Sequence, residues 1–194
     1  MEHVHSAGLA PLFAMWAAMM VGMMIPPEVP LLVRLARGPG AEAPLRGTAA
    51  FLAGYLAPWF LFSLGAALLQ SRLQAAGLMA HGMTTSSPMF GGALLVAAGA
   101  VQLSPLKRMC LERCRSPLAA GGSLLSGVEH GAVTVASCGL VMLIVFVTGV
   151  MNFAWMALIT LLLVMERTVS RGFAVSSVAG AALVAWGIWL LARG

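Results

Sequence analysis

Five methionines lie within ten residues of the first apolar stretch, and their sulfur atoms could bind a soft metal ion. A thioether sulfur is soft and neutral, so it suits Cu(I) and adds no charge to an apolar interior. The same residues could instead serve as flexible apolar packing, and both interpretations stay open. On a helix the five form two neighbouring ridges: Met15, Met19 and Met23 on one, and Met20 and Met24 on the other.

Three prolines, Pro26, Pro27 and Pro30, follow the methionines directly. Because proline lacks a backbone N–H, carbonyl groups one turn earlier lose their helical partners. We expect the helix to be broken here, at a place enclosed by protein or beside a cavity. Glu28 lies just beyond the first two prolines. We expect it to pair with Arg34 near the lipid headgroups, and the alternative is that it ligates an ion.

In the fourth apolar stretch, four residues follow one another at intervals of four positions: His130, Thr134, Cys138 and Met142. On a helix these residues form a stripe about 18 Å long. An ionisable group at membrane depth is costly, so His130 indicates a functional site. The alternative places Glu129 and His130 near the cytoplasmic headgroups, paired with a basic loop. His130 and Cys138 are about 12 Å apart along the axis, so a metal at either needs a ligand from another span.

The pair Cys110 and Cys114 lies in the most basic loop of the chain. If that loop is helical, the Cys-x-x-x-Cys spacing places both sulfur atoms on one face. Two thiolates on the reducing side of a membrane can hold Cu(I) or Zn(II). The three cysteines of the chain make a poor disulfide framework, and thiol redox chemistry is less favoured because its usual motif is Cys-x-x-Cys.

Weaker metal candidates lie outside the apolar stretches. His3 is the third residue, so the terminal amine, two amides and its imidazole would suit square-planar Cu(II) or Ni(II). His81 lies in a later polar loop, with Met79, Met83 and Met89 in or beside it. A histidine in the third position is also common by chance, and each of these could be an ordinary loop residue.

The composition indicates a membrane protein. The chain has 194 residues, of which 60% are hydrophobic and 9% are charged, and its mean hydropathy is +0.95. Soluble domains average about 25% charged residues, so a soluble globular protein is excluded. The sequence has no aspartate, no Gly-rich phosphate loop with lysine and no His-Glu-x-x-His pair. We therefore expect no enzyme, and no nucleic-acid partner despite a net charge of +5.

The apolar stretches predict an all-α, polytopic membrane helix bundle that forms one transmembrane domain over residues 1–194. A span needs about 20 apolar residues. We expect six spans, at about 9–33, 48–70, 88–104, 122–143, 147–166 and 172–192. The boundary near Thr148 and Gly149 stays open, because one re-entrant pass could replace two spans.

Lysine and arginine are distributed unevenly between the predicted loops. On the side opposite to the basic loops, only Arg72 and Arg193 are found. Because positively charged loops stay in the cytoplasm, we expect the basic loops inside and both termini outside a bacterial inner membrane. The basic loops carry Arg34, Arg37, Arg46, Lys107, Arg108, Arg113, Arg115, Arg167 and Arg171.

These motifs resemble a bacterial family of unknown function whose members are described as predicted metal-binding integral membrane proteins. In the first two spans the matching residues are Trp16, Met19, Met23, Met24, Pro26, Pro30, Gly54, Tyr55, Leu56 and Trp59. The basic loop resembles the pattern Gln-x-x-Pro-Leu-Lys-x-x-Cys-Leu-x-x-Cys-Arg-x-Pro, from Gln102 to Pro117. Later matches are His130, Gly131, Met151, Asn152, Trp155, Met156 and Glu166. The resemblance covers Trp16 to Glu166 and implies a membrane protein that binds metal.

One part of the chain departs from the family pattern. The family carries several cysteines after its His-Gly motif, where this chain has Thr134 and Ser137 and retains Cys138. A thiolate-rich site in the fourth span is therefore harder to support than a site with histidine and methionine ligands.

We expect a membrane protein that binds copper and transports or delivers it, with Cu(I) favoured by the methionines and zinc as the other candidate. Outer histidines and methionines would collect the ion. The first-span methionines and the stripe that begins at His130 would hold it within the membrane, and Cys110 and Cys114 would receive it. Expected partners are membrane lipid, the metal ion, and a metallochaperone or partner membrane subunit.

Two alternatives to copper transport or delivery stay open. The first is a non-transporting accessory subunit or assembly factor of a larger membrane complex, because the chain is small and has hardly any mass outside the membrane. The second is an enzyme or redox protein that binds haem through His130 and either Met142 or a methionine of another span, since haem iron uses His/Met ligation.

Overall fold

The computed structural model describes residues 8–37, 44–78, 87–115, 123–149, 152–169 and 172–193, with the backbone alone at 44, 114 and 115. Within these ranges every regular element is a helix, which confirms the predicted all-α fold. The helices are α1 (Leu9–Arg37), α2 (Pro44–Ala75), α3 (Pro88–Leu103), α4 (Pro105–Arg115), α5 (Leu124–Leu143), α6 (Val145–Thr148), α7 (Phe153–Thr168) and α8 (Gly172–Arg193).

Four helical segments in the described part of the chain are long and apolar enough to cross a membrane. They are Leu9–Arg37, Leu45–Ala75, Leu124–Thr148 and Gly172–Arg193. A fifth span forms if α3 and the following helix to Arg113 count as one segment with a 60° bend. α7 has 16 residues, about 24 Å at 1.5 Å per residue, and falls short of the usual span of about 20 residues. The predicted count of six spans and the outward termini therefore stay predictions.

α1 corrects one expectation from the sequence. It continues as a helix from Leu9 to Arg37, through Pro26, Pro27 and Pro30, where a break was predicted. Proline has a φ angle near that of a helix, so it removes hydrogen bonds without forcing the chain to leave the helix. Pro27 and Glu28 of this segment are buried, so packing supports the helix where its hydrogen bonds are missing.

A glycine follows the helical segment that begins with α5, and an asparagine cap precedes α7. The helical segment that starts at Leu124 ends at Thr148, and Gly149 follows with a φ of 101°, a value that glycine adopts without strain. Asn152 then caps α7, because its side chain accepts a hydrogen bond from the backbone N–H of Trp155 at 3.4 Å. A left-handed glycine and a cap thus separate the two helices.

α2 and α5 approach each other closely along a line of glycines. A Cβ atom added at Gly54 of α2 would overlap the carbonyl oxygen of Leu124, and one added at Gly127 of α5 would overlap that of Phe51. α3 and α8 meet in the same way at Gly99 and other glycines. Small residues that let helix backbones approach are typical of helix packing in membranes.

Large aromatic side chains fill the region where α1, α2 and α5 meet. Trp16, Phe51, Tyr55 and Trp59 are fully buried there. The Trp16 ring packs against Phe146 with 5.1 Å between ring centroids. Its Nε1 donates a 2.7 Å hydrogen bond to the buried Gln70 side chain of α2. α1 is therefore fixed against α6 by ring packing and against α2 by a buried hydrogen bond.

Gly54→Ala is expected to lower the free energy of unfolding by about 1–3 kcal/mol, the usual effect of overpacking, because its methyl group would overlap the Leu124 carbonyl. The matched control is Gly65→Ala on the same helix, where an added Cβ has no heavy atom within 4 Å. Alanine favours a helix more than glycine does, so this control should be neutral or more stable. Thermal unfolding in detergent compares the two, and equal melting temperatures would contradict the close approach of α2 and α5.

Candidate functional site

One face of α1 and one face of α7 border a shared apolar groove of about 820 Å³. Met15, Met19 and Met23 line it from α1, and Met156 lines it from α7. The remaining lining residues are aliphatic, aromatic or glycine, except for Thr160. Four thioether groups from two helices therefore border one groove. This is expected if the ridge of Met15, Met19 and Met23 has a role beyond packing.

The second methionine ridge has different surroundings. Met20 and Met24 are fully buried in the core and do not line the groove. The Tyr55 hydroxyl donates a hydrogen bond to the Met24 carbonyl oxygen at 3.3 Å. Met142 of α5 is also fully buried in the core. The structure thus separates the predicted methionine ligands into a groove set and a core set.

A buried ion-pair cluster joins α1, α5 and α7. Oε2 of Glu28 lies 3.1 Å from Nε2 of His130, and Oε1 accepts a hydrogen bond from Arg167. Arg167 also reaches Thr134, with 3.5 Å between Nη2 and Oγ1. The Glu28 side chain is 2% exposed, and that of Arg167 is 10% exposed.

This cluster corrects the predicted partner of Glu28. The sequence favoured a pair with Arg34 near the headgroups, but Arg34 is exposed and Glu28 pairs inward. The physical reason is that a carboxylate buried between helices needs a nearby partner. His130 and Arg167 supply that partner from two other helices. The alternative that paired Glu129 and His130 with the basic loop holds for Glu129, which pairs with Arg113, whereas His130 is buried and pairs with Glu28.

The imidazole of His130 is enclosed on several sides. The rings of Phe51 and Tyr55 lie at centroid distances of 5.6 Å and 5.7 Å from it. Glu28 contacts its Nε2, as described above. Glu129, its neighbour in sequence, is exposed and pairs instead with Arg113 of α4. The two adjacent residues therefore have separate environments and separate partners.

A second buried ion pair joins α4 to α7. Nζ of Lys107 lies 2.8 Å from Oε2 of Glu166, and both side chains are essentially unexposed. Oε1 of Glu166 accepts a 2.8 Å hydrogen bond from Nε2 of Gln102 on α3. Ser176 of α8 donates a hydrogen bond to the Gln102 side chain at 3.1 Å. This cluster links four helices through charged and amide groups.

Lys107 also connects the second cluster to α5. Its Nζ lies 3.4 Å from the carbonyl oxygen of Ser137 and 3.5 Å from Sγ of Cys138. The Ser137 hydroxyl lies 3.4 Å from the same sulfur. Cys138 is 2% exposed and is a free thiol. The sulfur of Cys138 is therefore held beside a buried ammonium group.

The cysteines of the basic segment lie on a helix, α4. Cys110 is a free, buried thiol one turn after Lys107. Cys114 lies one turn further along the same helix, and its side chain is outside the described residues. His3 and His81 also lie outside the described residues. Among the residues that are described, no group of three His, Cys, Asp or Glu side chains converges as a metal site.

The structure gives three residues a buried role that the sequence did not predict: Lys107, Glu166 and Arg167. The sequence places Lys107 and Arg167 in basic loops, and Glu166 only matches a family motif. A sequence signal was present for Lys107, since it lies three residues before Cys110 and seven before Cys114, on one face of a helix. No comparable spacing marks Arg167, whose carboxylate partner lies 139 residues away in the chain.

Comparison with known proteins places most of the chain within a described family. A family model described as PpoB2, copper chaperone, matches residues 13–190. The matched range includes the methionine groove and both buried ion-pair clusters. No curated protein and no solved structure matches this chain.

Glu28→Gln is expected to lower the free energy of unfolding by about 3–5 kcal/mol, because Arg167 then keeps its charge without a buried carboxylate. Unfolding of the purified protein in detergent, by heat or by denaturant, measures this change.

Two substitutions serve as controls for Glu28→Gln. Glu112→Gln removes an exposed partner of Arg108 on α4 and should change stability by no more than about 1 kcal/mol. Arg34→Ala removes the exposed partner that the sequence favoured for Glu28, and it should have a similarly small effect. A loss on Arg34→Ala as large as that on Glu28→Gln would contradict the inward pairing.

Proposed function

Because this chain belongs to the PpoB2 family of copper chaperones, we propose that it binds Cu(I) within the membrane and delivers the ion to a partner. Its function is the binding and transfer of a metal ion, without chemical conversion of a substrate. The long apolar helices are compatible with a membrane protein, and we place it in the bacterial inner membrane because of its basic loops.

The observation that carries this proposal is the groove between α1 and α7. Met15, Met19, Met23 and Met156 border it from two helices. Sulfur donors from two helices can converge on one ion, whereas donors from a single straight ridge are spread along the helix axis by about 6 Å per turn of four residues. The groove thus adds a sulfur ligand from a second helix, Met156 of α7, to the methionine ridge of α1.

The chemistry of the groove favours Cu(I) over zinc or Cu(II). Its described lining contains no carboxylate and no imidazole, and Thr160 supplies its one hydroxyl group. Zinc and Cu(II) prefer nitrogen, oxygen or thiolate ligands, whereas neutral thioether ligands select the soft monovalent ion. A single positive charge also costs less to bring into an apolar groove than two charges do.

Delivery requires that the ion enters and leaves. We propose that His3 and His81 collect copper on the outer side, as the sequence suggests, and that thiols near the basic loops receive it. A metallochaperone or a partner membrane protein would then take the ion. Neutral thioether ligands hold Cu(I) less firmly than thiolates do, which suits a site that passes its ion on.

The paired substitution Met19→Leu with Met23→Leu tests the groove. Leucine is close to methionine in volume, so packing changes little while two sulfur ligands are removed. We expect the affinity for Cu(I) to fall by at least about tenfold, equivalent to about 1.4 kcal/mol. Competition with a chromophoric Cu(I) chelator, in detergent and with ascorbate as reductant, measures the affinity.

The matched control is the pair Met20→Leu with Met24→Leu on the same helix. Met20 and Met24 are also buried methionines of α1, but they do not line the groove. Their affinity for Cu(I) should stay within about twofold of the wild type, a difference below 1 kcal/mol. Equal losses in both pairs would contradict the groove as the site. A wild-type protein that binds no copper would favour the accessory-subunit alternative.

A further inference from the structure

The side of α7 that lines the methionine groove continues beyond the groove to Arg167. Met156 and Val164 line the groove from this side, and Arg167 lies one turn after Val164. On α1 the lining ends at Met23, and Glu28 lies five residues further along the helix. Because α1 and α7 line one groove and then meet in the pair of Glu28 and Arg167, they run parallel. The ion pair therefore lies just past one end of the groove.

The ion-pair cluster closes this end of the groove across three helices. Arg167 extends from α7 to Glu28 of α1, and its Nη2 lies 3.5 Å from Oγ1 of Thr134 on α5. Oε2 of Glu28 lies 3.1 Å from Nε2 of His130, also on α5. The side chains of Glu28 and His130 are only 2% and 3% exposed. Paired polar side chains thus connect α7 to α1 and α5 where the groove ends.

A small recess lies on the other side of this cluster. It has a volume of about 20 Å³ and is lined by Arg113, Glu129, His130 and Val133. A volume of this size is enough for about one water molecule. Arg113 and Glu129 are exposed and pair with each other, whereas His130 borders the recess and also contacts Glu28. The cluster therefore lies between two spaces, the groove and the recess.

The charges of the cluster act on a cation in opposite directions. Arg167 repels a cation at the end of the groove, and Glu28 attracts it. In the paired state, one carboxylate oxygen of Glu28 is taken by Arg167 and the other by His130. Arg167 lies in the last turn of α7 and is 10% exposed, so its long side chain can turn outward and keep its charge in water. Glu28 is then the first anionic group beyond the neutral thioethers of the groove.

We propose that the ion pair of Glu28 and Arg167 is a gate at the end of the methionine groove that is nearer the basic loops. The gate is closed while the two side chains are paired. It opens when Arg167 turns away, and Cu(I) then passes from the thioether ligands toward the basic loops. The proposal rests on the proposed function for the identity of the ion. Closure of the groove by the pair does not depend on which ion is carried.

Chemical labelling of an introduced cysteine tests the closure without copper. Val164→Cys places a thiol on the groove, one turn from Arg167. A membrane-impermeant methanethiosulfonate reagent is added to right-side-out and to inside-out membrane vesicles that contain the full-length protein. We expect labelling in right-side-out vesicles and little in inside-out vesicles, because the ion pair blocks access from the basic side. The background variant replaces the three native cysteines with alanine: Cys110, Cys114 and Cys138.

Two paired substitutions change the gate in this labelling experiment. Glu28→Ala with Arg167→Ala removes both charges together, so no unpaired charge stays behind, and labelling in inside-out vesicles should become at least about tenfold faster. The matched control is Glu28→Leu with Arg167→Leu, because an apolar replacement of a buried ion pair is often neutral for stability. It keeps the end of the groove filled, and its labelling rate should stay within about threefold of that with the ion pair. Equal labelling of the unaltered gate from both sides would overturn the proposal.

Copper transfer tests the charges of the gate. Vesicles that contain the purified protein enclose an impermeant chromophoric Cu(I) chelator, and Cu(I) is added outside with ascorbate. We expect the wild type to deliver copper to the chelator. The leucine pair should slow this transfer by at least about tenfold, because no carboxylate remains beyond the groove, while the Cu(I) affinity stays within about threefold of the wild type. Transfer by the leucine pair at the wild-type rate would make the ion pair a packing contact alone and overturn the gate.

The two measurements separate failure of the gate from failure of the proposed function. If Met19→Leu with Met23→Leu leaves Cu(I) binding unchanged, the proposed function fails, and the labelling rates still decide whether the ion pair closes the groove. If the groove binds Cu(I) but the alanine and leucine pairs are labelled at equal rates, the gate is overturned and the proposed function stands. A wild type that binds Cu(I) at the groove and transfers none also overturns the gate.

Discussion

Charged side chains buried between helices must be paired, and this constraint governs how the helices of this protein are arranged. Glu166 and Arg167 are consecutive residues in the last turn of α7, so they point about 100° apart. Glu166 meets Lys107 of α4, and Arg167 meets Glu28 of α1. One turn of α7 therefore fixes two other helices. Loss of either partner would leave an unpaired charge inside the bundle, at a cost of about 3–5 kcal/mol.

Both buried ion pairs contact α5. His130 and Thr134 contact the pair of Glu28 and Arg167, and Cys138 contacts Lys107 one turn further along. Glu28, Arg167 and Lys107 thus contact most of the polar stripe that the sequence predicted as a metal-binding path. A metal ion at His130 would compete with the Glu28 carboxylate contact and two aromatic rings.

The sequence predicts features that depend on local spacing. The helical fold and the two methionine ridges follow from composition and from the 3.6-residue period. The structure confirms the all-α fold and divides Met19 and Met23 from Met20 and Met24 as that period requires. Local spacing alone could not predict the ion pairs, because Glu28 and His130 are 102 residues apart in the chain. A basic residue near the end of an apolar stretch has the same local pattern whether it faces the headgroups or turns inward.

The prolines of α1 have a mechanical consequence. Pro26 and Pro27 lie between the groove methionines and Glu28, and their missing amides leave the carbonyls of Gly22 and Met23 without helical donors. The helix is therefore easiest to bend at this segment, which makes it a hinge. On one side of the hinge, Glu28 is anchored to α5 and α7. On the other side, the methionines face an open groove, so bending at the hinge would widen or narrow that groove while the anchored end stays in place.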